Sequence, residues 1–295
     1  MNKSVQSLGL VAVVLIAFAA NSLLCRWALL VFYYDPVVFT VLRLFSGAVT
    51  LVGLLYWLPS KPRLRLLPFS SRRFWLLGAS LLLYALMFSL AYVQLDTGVG
   101  AFILFVAVQL MLLLVARFTG QRLNKQQVLG ALIAIAGLAL LLLPNADGTY
   151  IGYAGLMLLA AMGWAMFVLL GKGSVAPLVD VSSAFVAATL LMFGLVLILS
   201  ISMGQAFDID WFSNAFFLAI ISGALTSGVG YYLWYRVLPV IGVPKAAQLQ
   251  LLVPVIATVM GSLVLGEVLT FIAVIASAVI VFGVWLFLVA AKNTR

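Results

Sequence analysis

Apolar residues run along this chain in long blocks, broken by short gaps of turn and charged residues. A helix needs about 20 apolar residues to cross the hydrocarbon core of a bilayer. Ten blocks approach or reach that length: Leu8–Leu30, Val37–Leu58, Phe74–Gln94, Gly98–Phe118, Val128–Leu143, Tyr153–Leu170, Ser182–Ile201, Ala215–Tyr235, Ala246–Leu265 and Thr270–Ala290. The gaps hold breakers: Asp35-Pro36, Lys61-Pro62, Pro144-Asn145, Lys172 to Pro177, and Pro239 to Pro244. The pattern predicts an all-α integral membrane protein with ten transmembrane helices. Lys3, an apolar core and Ala17-Phe18-Ala19 also have the layout of a secretory signal. The apolar character resumes to Leu30, and cleavage would leave nine spans. An uncleaved first span is expected.

The blocks repeat. Lys245 to Leu269 is an apolar run with Gln248, Gln250 and Pro254 inside it, ending in Gly266-Glu267-Val268-Leu269. About 146 residues earlier, Ala101 to Leu123 is an apolar run with Gln109 inside it, ending in Gly120-Gln121-Arg122-Leu123. Gly137 and Gly283 follow at the same offset. Two copies of one five-helix unit are expected, residues 1–146 and 147–295. An odd number of spans per copy makes the second copy inverted in the membrane. Inverted repeats are the architecture of many secondary transporters, with the substrate site near the midplane between halves.

Charge adds an orientation. The chain has 295 residues, 66% hydrophobic and 8% charged, with 16 Lys and Arg against 7 Asp and Glu. With both termini in the cytoplasm, every Lys and Arg except Arg26 and Arg43 falls on an inside segment. Six acids, all but Asp180, fall outside. The excess of inside Lys and Arg predicts that orientation in a bacterial inner membrane. It also explains the net charge of +9 without nucleic acid. The lone Cys25 forms no internal disulfide, and the chain has no histidine. No metal site, catalytic triad or phosphate loop is visible, so no cofactor and no enzyme activity is expected.

The ten spans in two repeats are joined by local motifs: Gly266-Glu267-Val268-Leu269 after a proline-bearing ninth span, Asp35-Pro36 followed by Arg43, and Ala160 to Trp164 in the sixth span. On these the chain resembles an EamA-type carrier of the drug/metabolite transporter superfamily. It departs in having Gln121 where that family often has glutamate, and no proline in the fourth span to answer Pro254. The resemblance implies export of amino acids, including aromatic ones, or other small metabolites.

Candidate site residues follow from what a membrane interior tolerates. A buried arginine is expensive in lipid, so Arg43, about two turns into the second span, needs a partner or a task. It would bind a substrate carboxylate or form part of a gate; otherwise it would hold backbone carbonyls or Asp35. Arg26 lies nearer a span end and can snorkel. Tyr84, Phe88 and Tyr92 repeat every four residues on one helix face. The eighth span answers with Tyr231, Tyr232, Trp234 and Tyr235, of which we take Tyr232 as the cavity residue. Tyr84, Trp164 and Phe102 lie too deep for an interfacial belt, and line a cavity or pack against neighbours. Gln109, Gln248 and Asn21 are intramembrane amides, either ligands or helix–helix contacts. Pro254 would kink the ninth span mid-way and, with Gly223, Gly228 and Gly230 next door, form a hinge. Glu267 would cap the tenth helix or couple ions, and Asp180 is the other candidate for coupling, unless coupling is absent. The partners expected are a small-molecule substrate and the lipid bilayer, with the protein a monomer. Efflux of lipophilic cations with proton coupling would call for a buried acid, and a membrane receptor or scaffold would call for an extramembrane domain.

Overall fold

The computed structural model describes residues 3–57, 65–118, 124–142, 148–204, 206–243, 246 and 249–292. Ten helices lie within them. They are α1 Lys3–Val31, α2 Pro36–Trp57, α3 Arg72–Ala91, α4 Thr97–Phe118, α5 Lys125–Leu142, α6 Gly148–Gly171 and α7 Pro177–Met203. Then come α8 Asn214–Ile241, α9 Leu252–Leu265 and α10 Phe271–Lys292. Seven of these, α1–α4 and α6–α8, are long and apolar enough to cross a membrane by length and composition.

Helix starts follow local chemistry. Asp35 Oδ1 accepts hydrogen bonds from the N–H groups of Val37 and Val38 at 2.8 and 2.9 Å, which caps α2. Pro36 and Pro177 open α2 and α7, where a missing N–H leaves nothing unsatisfied. Ser213 caps α8 through the Phe216 N–H at 3.1 Å. Gly266 ends α9 at φ 68°, in the left-handed region that glycine enters without strain.

Two elements differ from expectation. α9 begins at Leu252, six residues later than the apolar block starting at Ala246. Helical residues precede that start, with the Ala246 N–H on the Gly242 carbonyl at 3.0 Å and the Gln250 N–H on the Ala246 carbonyl at 3.1 Å, so the helical path is broken by a turn at Gln250–Leu251, just before Pro254. In a first turn the proline nitrogen has no intrahelical acceptor to lose. A second irregularity lies in α8. Ser222–Val229 forms a π-helical segment, and the Gly230 N–H reaches back five residues to the Leu225 carbonyl.

Helices from the first five pack on helices from the last five. α3 lies on α6 and α7, α2 on α7 and α8, α4 on α6 and α9, α1 on α8 and α9, and α5 on α10. Exchanging α1–α5 for α6–α10 maps each of these interfaces onto another in the same set. Glycine sets the closest approaches. A Cβ on Gly130 would meet the Gly283 carbonyl, and one on Gly137 would meet Ile280. The outer faces carry exposed Ile16, Val49, Ile198, Leu225 and Val259. The interior carries buried Asn21, Arg43, Ser89, Thr189, Ser222 and Ser227. Apolar side chains outward and polar groups inward is the arrangement a lipid solvent demands.

Candidate functional site

Arg43 is the hub of the interior. It is 1% exposed, eight residues into α2. Its Nε donates to Ser227 Oγ at 2.9 Å, and its Nη2 donates to the hydroxyls of Tyr231 at 2.8 Å and Tyr84 at 3.3 Å. Its Nη1 meets no acceptor among the described residues. The guanidinium carbon stands 5.2 Å from the Tyr84 ring centre and 5.1 Å from that of Phe88, within cation–π range.

The π-helical segment builds one wall of this hub. Asn21 Oδ1 accepts from Ser222 at 2.8 Å, Thr226 at 3.2 Å and Ser227 at 3.1 Å. Asn21 Nδ2 donates to the Tyr84 hydroxyl at 3.4 Å, and the Tyr231 hydroxyl donates to the same oxygen at 3.1 Å. Gly223 and Gly47 let α8 and α2 approach closely enough for this. A Cβ on Gly223 would strike the Arg43 carbonyl.

A cavity adjoins the hub, lined by Phe18, Asn21, Ser22, Tyr84, Phe88, Leu104, Phe105, Trp164 and Tyr231. About 10 Å³ is open to the centre of a water-sized sphere, room for on the order of one water. The rings are mutually packed: Trp164 lies 4.8 Å from Tyr231 and 5.0 Å from Tyr84, and Phe18 meets Trp164 edge-on at 5.4 Å. The Trp164 indole N–H is buried without a partner among the described residues.

Each end of the bundle carries a polar cluster. At one end Glu267, in the turn between α9 and α10, accepts from the Thr97 N–H at 3.0 Å and the Thr97 hydroxyl at 2.8 Å, capping α4. Arg26 joins it, donating to the carbonyls of Tyr92 and Val93 at 2.9 Å each. Arg26 also faces Asp96 at 3.6 Å and Glu267 at 3.7 Å. Burial pushes the Glu267 carboxyl up from its ordinary range, against the lowering effect of the two Thr97 hydrogen bonds. At the other end Arg73 of α3 pairs with Asp180 of α7 at 2.7 Å and donates to the Leu170 carbonyl of α6 at 2.8 Å.

Of the sequence candidates, Asn21, Tyr84, Phe88 and Trp164 line the cavity, and Arg43 reaches the Tyr84 and Tyr231 hydroxyls that bound it. Phe102 is buried on α4 but outside the lining, where Leu104 and Phe105 stand instead. Gln109 is buried, and its Oε1 finds no partner among the described residues. Tyr232 turns away from the cavity and lies under Arg236, 5.8 Å from its ring; Tyr231 takes the interior position. The π-helical turn adds a residue, which rotates the face by about 100° relative to an α-helical count. Gln248 lies outside the described residues. Pro254 sits in the first turn of α9. Glu267 caps α4 rather than α10, whose first turn is capped by Thr270 through the Ala273 N–H at 3.1 Å. Asp35 serves α2 and does not pair with Arg43. Phe18, Ser227 and Phe105 were not singled out. Phe18 stands three residues before Asn21 on the same face, and Ser227 four before Tyr231, which is the available signal.

Three comparisons bear on these features. The EamA-like transporter family matches residues 152–289. An uncharacterized protein of Pseudomonas aeruginosa is 44% identical over 264 residues, 89% of this chain and 87% of that one. An uncharacterized transporter of Archaeoglobus fulgidus is 25% identical over 206 residues, 69% of this chain and 72% of its own. A solved crystal structure superposes with a TM-score of 0.63, covering 96% of this chain and 99% of that chain at 20% identity, a likeness of fold. The chain belongs to the EamA-like transporter family, a multi-pass membrane protein of a family of transporters.

Proposed function

We propose that the protein is a secondary transporter that exports small amphiphilic metabolites carrying a carboxylate, aromatic amino acids among them, by alternating access. One observation carries this: a buried guanidinium, one of whose nitrogens has no partner among the described residues, bonds the hydroxyls of Tyr84 and Tyr231, which line an aromatic cavity. Arg43 would take the carboxylate, and Tyr84, Trp164 and Tyr231 the apolar part. The cavity holds about one water, so a solute enters only after the helices around it move apart. The interchangeable packing of α1–α5 and α6–α10 supports two inverted repeats with a boundary near residue 146. Charge bias along the sequence supports cytoplasmic termini and a bacterial inner membrane. A lipophilic cation would meet the Arg43 charge unscreened, so cation efflux is disfavoured.

Counterflow in proteoliposomes tests the proposal. Vesicles are loaded with one unlabelled amino acid at a time, and entry of trace labelled phenylalanine is followed without an ion gradient. A transient overshoot with at least one carboxylate-bearing solute is expected. Flux that rises linearly with concentration and shows no overshoot would mark a channel.

A further inference from the structure

Arg43 carries a full positive charge in the bundle interior, and its described partners are neutral: two tyrosine hydroxyls and a serine. The seven acids of the chain are Asp35, Asp96, Asp147, Asp180, Asp208, Asp210 and Glu267. Asp147 lies outside the described residues; the other six lie at helix ends or between helices, and those with described partners are committed elsewhere. Asp35 caps α2, Asp180 holds Arg73, and Asp96 and Glu267 hold Arg26. Among the described residues the cavity lining therefore contains no acid, and the charge bonded to its Tyr84 and Tyr231 hydroxyls is the Arg43 cation.

That imbalance selects by net charge. A carboxylate on Arg43 Nη1 would neutralise the site. An ammonium on the same ligand would find no acid. Asn21 Oδ1 already accepts from the Ser222 and Ser227 hydroxyls, and the Thr226 hydroxyl is shared between it and the Ser222 carbonyl. The Tyr84 and Phe88 rings already face the guanidinium. A phosphate monoester would bring nearly two charges to one arginine. Deepening the carrier function proposed above, on which it rests, we infer that the preferred substrate is a small aromatic monocarboxylate of net charge −1, transported electrogenically, one negative charge per cycle.

Electrogenic export of an anion needs no coupled proton. A membrane negative inside drives the anion outward whichever way the protein is inserted. A potential of 100 mV corresponds to about a 50-fold ratio of the monoanion. This agrees with the absence of a carboxylate at membrane depth among the described residues, where a proton-coupled carrier would place one.

The test uses the full chain in proteoliposomes with three related solutes: phenylpyruvate, phenylalanine and phenethylamine. Phenylpyruvate is a strong acid with little neutral form, which keeps leakage through lipid low, and protein-free vesicles measure the remainder. Expected are overshoot with labelled phenylpyruvate, at least tenfold weaker competition by phenylalanine, and none by phenethylamine. Net efflux of phenylpyruvate accelerates when potassium and valinomycin impose an inside-negative potential. Arg43→Gln abolishes this flux, while Arg43→Lys keeps the response to potential at a higher half-saturation. Phenylalanine counterflow equal to or stronger than that of phenylpyruvate overturns the inference and leaves the carrier function standing. So does phenylpyruvate flux indifferent to potential. Absence of counterflow with any carboxylate-bearing solute sinks the carrier function as well. The wild-type potential experiment decides the matter even if neither variant folds.

Discussion

Tyr231 and Tyr232 are neighbours with opposite surroundings. The Tyr231 hydroxyl accepts from Arg43 at 2.8 Å and donates to Tyr84 at 3.1 Å, while Tyr232 lies half-buried under Arg236. Hydrogen bonds to charged groups contribute about 1.5–3 kcal/mol. Tyr231→Phe is therefore expected to raise half-saturation for an arginine-bound carboxylate by about ten- to a hundredfold, since 1.4 kcal/mol is tenfold. Tyr232→Phe is expected to change it by less than about twofold, as peripheral substitutions do. Dose-dependent counterflow with both variants reads the difference, and equal effects would remove Tyr231 from the site. At this scale the sequence was partly legible. Arg43, Asn21, Tyr84 and Trp164 stood out because a charge, an amide and deep aromatics are costly or unusual in an apolar helix. Ser227 and Phe18 did not, because serine and phenylalanine are ordinary there. Their roles come from partners on other helices, 184 residues away for Ser227 and Arg43.

The helices themselves were largely written in the apolar blocks, because a bilayer leaves a spanning segment few alternatives to helix. What the blocks did not contain was the register within them. Pro254 stands inside an apolar block that begins at Ala246, and the helical residues on its two sides are separated by a turn at Gln250–Leu251, which leaves proline in the first turn of α9, where it is tolerated. Gly223, a hinge candidate in the sequence, admits the Arg43 backbone. Gly163 does the same between α6 and α3. A Cβ there would lie 2.5 Å from the Tyr84 nitrogen and 2.7 Å from the Ser80 carbonyl oxygen. Both are backbone atoms of a packed helix, so neither can turn aside. Overpacking of this kind typically costs about 1–3 kcal/mol. Gly163→Ala is expected to lower the thermal midpoint in detergent and, by displacing Tyr84, to raise half-saturation. An unchanged midpoint would mean that α6 shifts freely along α3.

At the scale of the molecule, the two polar clusters lie at opposite ends of one set of interfaces between halves. Arg26, Asp96, Thr97 and Glu267 tie α1 and α4 to the α9–α10 turn. Arg73, Asp180 and the Leu170 carbonyl tie α3 to α6 and α7. With both clusters formed, the cavity has no room for a solute. Alternating access then requires that one be broken while the other holds. Removing either cluster should bias the carrier toward opening at that end. On a Cys25→Ala background, a cysteine replacing Leu104 reports access to the cavity. Glu267→Ala is expected to increase labelling by an impermeant thiol reagent from the Glu267 face, and Asp180→Ala from the Asp180 face. Increases from the same face in both variants would show that the clusters are not opposing gates. The Glu267 cluster adds a pH dependence whose sign follows from burial. The carboxyl has a raised pKa when closed in and returns to its ordinary value, about 4.3, when released to water. The closed form thus holds the proton more tightly. Acid favours closure, and closure weakens as pH rises from the ordinary carboxylate range through the raised value. Labelling from the Glu267 face, normalised to the rate from the Asp180 face, should therefore rise with pH across that window. The rise should vanish in Glu267→Gln, which has no proton to lose.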